Sequence, residues 1–309
     1  MKGGVAVLRD SNMSDVQIET EEFFSLLEKL MSTPTAPFRE HRIRDAIRAE
    51  AGRIGGVSVR EDAWGNMLVS HAAPDGSEDC VFVAHMDHPG FVDGEFLGSI
   101  RSEYRHAGNR VVDLGNGIGM WDLPAFHRGD GWIRGRACDD LVGCAVALSS
   151  VFHHARIGSE HRVHALMTVA EEVGLFGAAL ACDAGTIPSK ATIVSLETSP
   201  CLAEKQFHGG CIVRVGDRGS VFTPAITRSL MDAARIGKIA HQRCLMDGGS
   251  CEGTVFFDAG YETGALCVAL GNPHNQGAGA GVEMEYVSES DVLEMLRLAV
   301  TAPKILAHR

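Results

Sequence analysis

Several features that proteins often have are missing from this 309-residue sequence. It contains no apolar run of about 18 residues, the length that a membrane-spanning helix needs. None of its nine cysteines forms a Cys-x-x-Cys pair, so the sequence predicts neither a zinc knuckle nor a redox motif. Basic side chains number only 28 against 40 acidic ones, and the net charge of −12 argues against a nucleic-acid-binding surface. We therefore expect a protein of the reducing cytoplasm with no nucleic-acid and no membrane partner.

The N-terminal segment also lacks the features of a targeting signal. Residues 1–17 carry charges without an apolar core, so they are not a secretory signal and we expect a disordered tail. Either Met1 or Met13 could be the true start. With about 45% apolar residues, the remainder can bury one large core and fits one large domain with a small insertion.

Apolar strand patterns alternate with helical patterns along the chain, as is typical of an α/β protein with a mostly parallel sheet. The predicted strands are Val57–Arg60, Met67–His71, Val81–Ala84, Val163–Val169, Ala191–Leu196 and Gly264–Leu270. The predicted helices are Glu21–Met31, Arg39–Ile54, Asp139–Ala155, Gly174–Cys182, Thr227–Ile236 and Ser288–Val300. Thr20 is a predicted N-cap of the first helix, and Ser288 with Asp291 forms a loose capping box for the last.

One region departs from this alternation. Glycines and charges are dense between Val92 and Arg136, and no long helix is predicted there. We expect a small β-rich inserted domain at residues 93–135, which divides the main domain into residues 18–92 and 136–309. The glycine-rich stretch Gly115–Gly119 follows no strand and opens no helix, so it does not predict a phosphate-binding loop. A dehydrogenase or mutase would need such a loop.

Chemically reactive residues follow the predicted strands. The strand Val81–Ala84 runs directly into His85, with Asp87 two positions later. The other candidates at strand ends or helix starts are Asp139-Asp140, Glu171-Glu172, Glu197 and His274. Because the carboxyl ends of parallel strands meet at one edge of a sheet, these side chains can converge there.

Each candidate has an ordinary explanation when it is taken alone. An acid at a strand end is commonly a solvated loop residue, and the acids at a helix start are common caps. Isolated histidines such as His106, His127 and His241 are more often surface residues than ligands. Together, however, two imidazoles and at least three carboxylates form a suitable ligand set for two divalent first-row ions, with zinc as the expected metal and cobalt or manganese as alternatives.

The order of these motifs resembles the co-catalytic zinc exopeptidases, and most closely the glutamyl and tetrahedral aminopeptidase family, which includes proteins named as endoglucanases. The stretches that carry the resemblance are Asp62-Ala-Trp-Gly-Asn66, Ala84-His-Met-Asp-His-Pro-Gly-Phe91, Ala137-Cys-Asp-Asp140, Thr168-Val-Ala-Glu-Glu-Val-Gly174, Asp247-Gly-Gly-Ser-Cys-Glu-Gly-Thr254 and Pro273-His274. The resemblance implies a mixed, mostly parallel sheet sandwiched by helices, and it makes the main domain a metallopeptidase catalytic domain.

The resemblance also implies a role for each metal ligand. Asp139 would bridge two ions, His85 and Glu197 would complete one of them, and Glu172 and His274 would complete the other. The peptide bond that follows the bridging aspartate is cis in the family.

Two further residues acquire catalytic roles by the same resemblance. Asp87 would hydrogen-bond to His85 and fix its tautomer. Glu171 would be the general base that takes a proton from the metal-bridging water and passes it to the leaving amine.

The resemblance implies an aminopeptidase that removes N-terminal residues from short peptides and assembles as a homo-oligomer of uncertain size. Two departures bear on this expectation. The family usually has Asp where this chain has Glu197, and related carboxypeptidases and deacylases use Glu. The alternative is therefore a metal-dependent amidohydrolase or deacylase that acts on N-acyl amino acids or other small amides. The span between His85 and Asp139 is shorter than in the family, which argues against a dodecamer for this chain.

A binding protein that has lost catalysis would be expected to lack a ligand or Glu171, and none of these residues is missing.

Overall fold

The structure is a computed structural model that describes residues 19–71, 73, 78–105, 110–203 and 206–307. The predicted tail of residues 1–17 and His106 lie outside the described residues. Within those ranges, no helix is both long and apolar enough to cross a membrane.

The described residues form eight α-helices around two β-sheets. The helices are α1 Thr20–Ser32, α2 His41–Ala51, α3 Ser102–Arg105, α4 Leu141–Arg156, α5 Phe176–Asp183, α6 Pro224–Ile236, α7 Glu252–Asp258 and α8 Glu289–Leu306. The strands are β1 Val57–Glu61, β2 Met67–His71, β3 Asp79–His85, β4 Gly90–Val92, β5 Glu95–Leu97, β6 Val111–Asp113, β7 Ile118–Trp121, β8 His127–Gly129, β9 Trp132–Gly135, β10 Arg162–Thr168, β11 Thr192–Pro200, β12 Cys211–Gly216, β13 His241–Leu245, β14 Glu262–Gly271 and β15 Glu285–Ser288.

The main sheet has eleven strands, and its centre is parallel. Its order is β1-β2-β10-β3-β11-β14-β15-β9-β8, with β12 pairing both β14 and β13. Strands β10, β3, β11 and β14 run parallel to one another, while the outer strands add antiparallel pairs. The register places Thr168 of β10 opposite His85 of β3, so the ends of neighbouring strands meet at one edge. The predicted mixed, mostly parallel sheet is therefore confirmed.

Helices cover both faces of this sheet. Along β3, Phe82 and Ala84 face the larger core cluster, which includes residues of α1, α4 and α8. The intervening residues Val81 and Val83 face a second cluster, which includes residues of α5 and α7. Both faces are buried, which explains why the sequence of β3 is a continuous apolar run rather than an alternating one.

The smaller sheet is antiparallel and has the order β5-β4-β7-β6. Its aromatic side chains pack together, with the rings of Phe91 and Trp121 centred 4.9 Å apart. The β-rich character predicted for residues 93–135 is confirmed. Strands β8 and β9 of this stretch pair with the main sheet through β15, whereas β4 lies in the small sheet. The proposed domain boundaries remain a prediction.

The predicted N-caps are present at two helices, and the one predicted at a third helix is absent. Asp140 accepts a hydrogen bond from the amide of Gly143 at the start of α4, and Ser288 accepts one from the amide of Asp291 at the start of α8. The predicted N-cap at Thr20 is wrong, because Thr20 is the first helical residue and Glu19 precedes it.

Several elements were not predicted from the sequence. Strand β11 continues to Pro200, so Glu197 lies within the strand rather than after it. Strands β13 and β15 and helix α7 were missed, since they are short or mostly polar and lack a clear period. Strand β12 was also missed, although its sequence is mostly apolar.

Candidate metal centre

The carboxyl edge of the parallel strands brings the predicted ligands together. His85 is the last residue of β3, and Glu197 lies in β11. Asp139 directly precedes the cap of α4, and His274 lies in a short 3-10 helix, Pro273–Asn275, after β14. Glu171 and Glu172 follow β10. Three groups of potential ligands result, with all ligand atoms of each group within 4.8 Å of one another: His85, Glu171 and Glu172; His85, Asp140 and Glu197; and Asp139, Glu172 and His274.

Asp139 lies between the two histidines. Its Oδ1 is 3.3 Å from Nε2 of His85, and its Oδ2 is 3.6 Å from Nε2 of His274. Each histidine also faces a glutamate: Nε2 of His85 is 3.8 Å from Oε1 of Glu197, and Nε2 of His274 is 3.2 Å from Oε2 of Glu172. The arrangement therefore contains two His-carboxylate pairs that share one aspartate.

Unpartnered oxygens in the cluster show that the residues fit a cation. Oδ1 of Asp139, Oδ2 of Asp140 and Oε1 of Glu172 are buried and accept no hydrogen bond within the described part of the chain. Leaving buried polar groups without partners is costly, and for charged groups the cost is larger. Carboxylate and imidazole groups in this combination are the usual ligands of zinc and related ions.

The pKa values of these groups reflect how strongly they are buried. Burial, together with the charge of Asp139, raises the pKa of Glu172 to about 8. Burial opposes ionisation of Asp139, yet the facing imidazoles of His274 and His85 hold its pKa well below the usual range. For His85, burial lowers the pKa, but Glu171 and the other surrounding carboxylates raise it well above the usual value. Burial thus outweighs the nearby imidazole at Glu172, whereas the two imidazoles outweigh burial at Asp139.

The carboxylate of Asp87 holds the segment that carries the two glutamates. Its Oδ1 accepts a hydrogen bond from the amide of Glu171 at 2.9 Å, and its Oδ2 accepts one from the amide of Glu172 at 3.1 Å. The predicted hydrogen bond between His85 and this carboxylate needs correction. Nδ1 of His85 donates to the backbone carbonyl of Asp87 at 3.1 Å, while the carboxylate oxygen is 3.7 Å away.

Two residues that the sequence analysis did not assign hold the preceding part of the same segment. The amide of Val169 donates to Oδ1 of Asn66, and the amide of Ala170 donates to Oε1 of Glu40. Asn66 belongs to the Asp62–Asn66 motif that carried the resemblance, which was the one available signal. Glu40 had none, because its contact joins residues that are 130 positions apart.

Two further buried residues support Asp139 from its other side. His88 donates from Nδ1 to the backbone carbonyl of Asp139 at 2.7 Å. Glu285 accepts hydrogen bonds from the amides of both Asp139 and His274. The peptide bond between Asp139 and Asp140 is cis, as the resemblance implied.

A cleft of about 460 Å³ opens onto the cluster. Its walls include the predicted ligands and Glu171, together with residues from the loop after β11, from β12 and from the Asp247–Thr254 turn. Those additional residues include Leu202, Arg214 and Ser250, and the walls also contain Arg218, which follows β12, and Met246, which follows β13. Arg214 is buried and donates to Oγ of Ser199 and to the carbonyl of Met246, whereas Arg218 is exposed and donates to the carbonyl of Gly248. The cleft therefore combines an acidic floor with cationic and apolar wall residues.

Comparison with known families agrees with this geometry. The profile described as M42 glutamyl aminopeptidase matches residues 102–297, which is more than half of the chain. The chain belongs to the M42 glutamyl aminopeptidase family. The resemblance inferred from the motifs is thereby confirmed, and the M42 protein is an aminopeptidase, a hydrolase of peptide bonds.

Individual relatives of this M42 protein span nearly its whole length. A putative aminopeptidase of Acetivibrio thermocellus is 24% identical over 343 residues, covering 92% of this chain and 99% of the relative. The TET1 peptidase of Pyrococcus horikoshii superimposes with a TM-score of 0.74 at 19% identity, covering 92% of this chain and 99% of that one. An aminopeptidase of Desulfurococcus kamchatkensis gives a TM-score of 0.74 at 19% identity, covering 94% and 98%. The same fold therefore extends over 92–94% of this chain.

Proposed function

We propose that this M42 protein is an aminopeptidase that requires two divalent ions and removes the N-terminal residue from short peptides. The observation that carries the proposal is the position of Asp139, whose two oxygens face two different histidines at 3.3 and 3.6 Å. A carboxylate in that position can bridge two ions. His85 and Glu197 would hold one ion, and Glu172 and His274 would hold the other.

Bound at these residues, two divalent ions, zinc being the expected metal, supply Lewis acidity to the scissile carbonyl and to the attacking water. Glu171 is proposed as the general base. Its Oε2 lies 4.0 Å from Nε2 of His85, at the wall of the cleft, and Asp87 holds its backbone amide. Burial raises the pKa of Glu171 well above the usual value, which makes it a stronger base for the proton that it would pass to the leaving amine.

The positive wall of the cleft supports a preference for an acidic N-terminal residue. Both Arg218, which is exposed, and Arg214, which is buried, line the cleft, whereas the predicted metal ligands on the same cleft are mostly acidic. An N-terminal Glu or Asp side chain would find in Arg218 a partner for a charge-assisted hydrogen bond. The same arginine would repel a lysine side chain.

We also propose that the chain forms a homo-oligomer in the cytoplasm. One solved structure with the same fold is described as a dodecamer, and the Pyrococcus horikoshii TET1 peptidase is described as assembling into a tetrahedron or an octahedral shell. The short span between His85 and Asp139 argues for a smaller assembly in this chain. Light scattering of the purified protein measures the subunit number, and a monomer at micromolar concentration would remove the proposal.

The test of the activity combines metal content with a substrate panel. Purified protein is analysed for bound metal and assayed, with zinc, cobalt or manganese, on Glu-, Asp-, Leu- and Lys-anilides and on N-acetyl amino acids. About two ions per chain with cleavage of free-amine substrates are expected. Cleavage of N-acetyl compounds alone would favour the deacylase alternative that Glu197 suggests. Activity that survives complete chelation would overturn the metal proposal.

A further inference from the structure

We infer that Glu285 is a positioning residue that fixes Asp139 and His274 relative to each other and thereby sets the affinity for one of the two metal ions. The inference rests on the proposed function, because it takes Asp139 and His274 as ligands. Glu285 lies outside the motifs that carry the family resemblance.

Strand pairing places Glu285 where two ligand-bearing segments leave the sheet. Strand β15 lies between β14 and β9. Glu285 is opposite Gly135, the last residue of β9, and the chain continues from there to Asp139. The next residue of β15 pairs with Gly271 at the end of β14, and the chain continues from there to His274. A side chain at the start of β15 can therefore reach both segments.

The carboxylate of Glu285 uses both of its oxygens to bind these segments. The side chain is fully buried, with no exposed surface. Its Oε2 accepts hydrogen bonds from the amides of Cys138 at 2.7 Å and Asp139 at 3.1 Å. Its Oε1 accepts one from the amide of His274 at 2.7 Å. Hydrogen bonds from amides to a carboxylate are stronger than those between neutral groups, so one side chain joins the two ligand segments firmly.

His274 depends on this contact more than Asp139 does. The backbone of His274 lies in the left-handed region, with φ 54° and ψ 36°, which non-glycine residues adopt infrequently. Its imidazole donates from Nδ1 to the carbonyl of Ser99 at 2.6 Å and turns Nε2 toward Glu172 and Asp139, so these contacts hold the ring rather than the backbone. Asp139 is held in addition by His88, which donates to its carbonyl, and by the start of α4. Loss of Glu285 should therefore displace His274 first.

His85 and Glu197, the proposed ligands on the other side of Asp139, are supported by different residues. His85 ends β3 and donates to the carbonyl of Asp87, and Glu197 lies within β11. A change at Glu285 should consequently weaken the ion held by Glu172 and His274 and leave the ion held by His85 and Glu197 nearly unchanged.

The experiment is a zinc titration of the chelator-stripped full chain by calorimetry with a competing chelator. In Glu285→Gln, an NH₂ group replaces one acceptor oxygen and faces a backbone N–H. Wild type should bind two ions, and Glu285→Gln should show one step weakened by about 10–100-fold, as for other residues that orient metal ligands. The second step should change by less than about twofold, and activity should recover at raised zinc concentration.

Glu283→Gln is the matched control, because Glu283 is exposed in the same segment and contacts the side chain of Asn272 rather than the backbone of a ligand. It should titrate like wild type.

Circular dichroism tests whether Glu285→Gln is folded. If it is unfolded, Glu285→Asp replaces it in the titration, because an aspartate side chain is too short to reach both segments and should weaken the same binding step. Two wild-type-like steps in the folded variant would overturn the inference. Fewer than two ions on wild type would instead overturn the proposed function.

Discussion

Glu171 and Glu172 are adjacent, yet the structure predicts opposite consequences for the same substitution. Oε2 of Glu172 is 3.2 Å from Nε2 of His274, whereas the nearest imidazole nitrogen to Glu171 is Nε2 of His85 at 4.0 Å. Glutamine is nearly isosteric with glutamate, and Asp87 would still hold both backbone amides. The pair therefore separates the role of a base from the role of a ligand.

Glu171→Gln should bind two ions and lose catalysis. A general base contributes about 10²–10⁴-fold to a rate, which corresponds to roughly 3–5 kcal/mol of transition-state stabilisation. We expect a fall of that size in kcat, with KM changed little. Glu172→Gln should instead lose one ion, since a neutral amide replaces a charged ligand, and part of its activity should return when metal is added.

The assay measures kcat, KM and metal stoichiometry on the same preparations. Circular dichroism and gel filtration establish that both variants are folded. A Glu171→Gln enzyme that keeps more than about a tenth of the wild-type kcat would refute the assignment of the base. Equal loss of metal from both variants would refute the division of roles between the two glutamates.

Three other predictions follow from the contacts of single residues. Asn66→Ala leaves the buried amide of Val169 without its acceptor, so urea unfolding should show a loss of about 2 kcal/mol, and kcat should fall at unchanged metal content. Burial lowers the pKa of His154 to about 3 while its Nε2 donates to Val300. The unfolded chain takes up this proton as the pH falls through about 6.5, so the contribution to stability is complete well above that pH and is about 1.4 kcal/mol smaller at pH 5.5. His154→Gln should show a flatter profile of unfolding free energy against pH. Arg218→Gln should lower kcat/KM about tenfold on Glu-anilide but not on Leu-anilide, and equal effects on both would remove its role in specificity.

The order of the ligands could be predicted from the sequence because each ligand lies at the end of a predicted strand or the start of a predicted helix. A continuous apolar run ends at His85, a helix begins beyond Asp140, and a paired Glu171-Glu172 follows another strand. The ends of strands and helices depend mainly on neighbouring residues in the sequence. Parallel strands then bring the side chains at these ends to one edge of the sheet. The helices and parallel strands were predictable for the same reason, although the boundaries shifted, as at Glu197.

What only the tertiary structure decided is how the ligands are held and what surrounds them. The hydrogen bonds of Asn66, Glu40 and Glu285 to the ligand-bearing segments span 103, 130 and 147 residues, and no local pattern records such pairings. The cleft wall that contains Arg218 is likewise formed by short strands and turns whose sequences lack a clear period. Sequence thus determined which groups reach the sheet edge, because that depends on local chain order. The fold determined their distances and support, because those depend on contacts between distant segments.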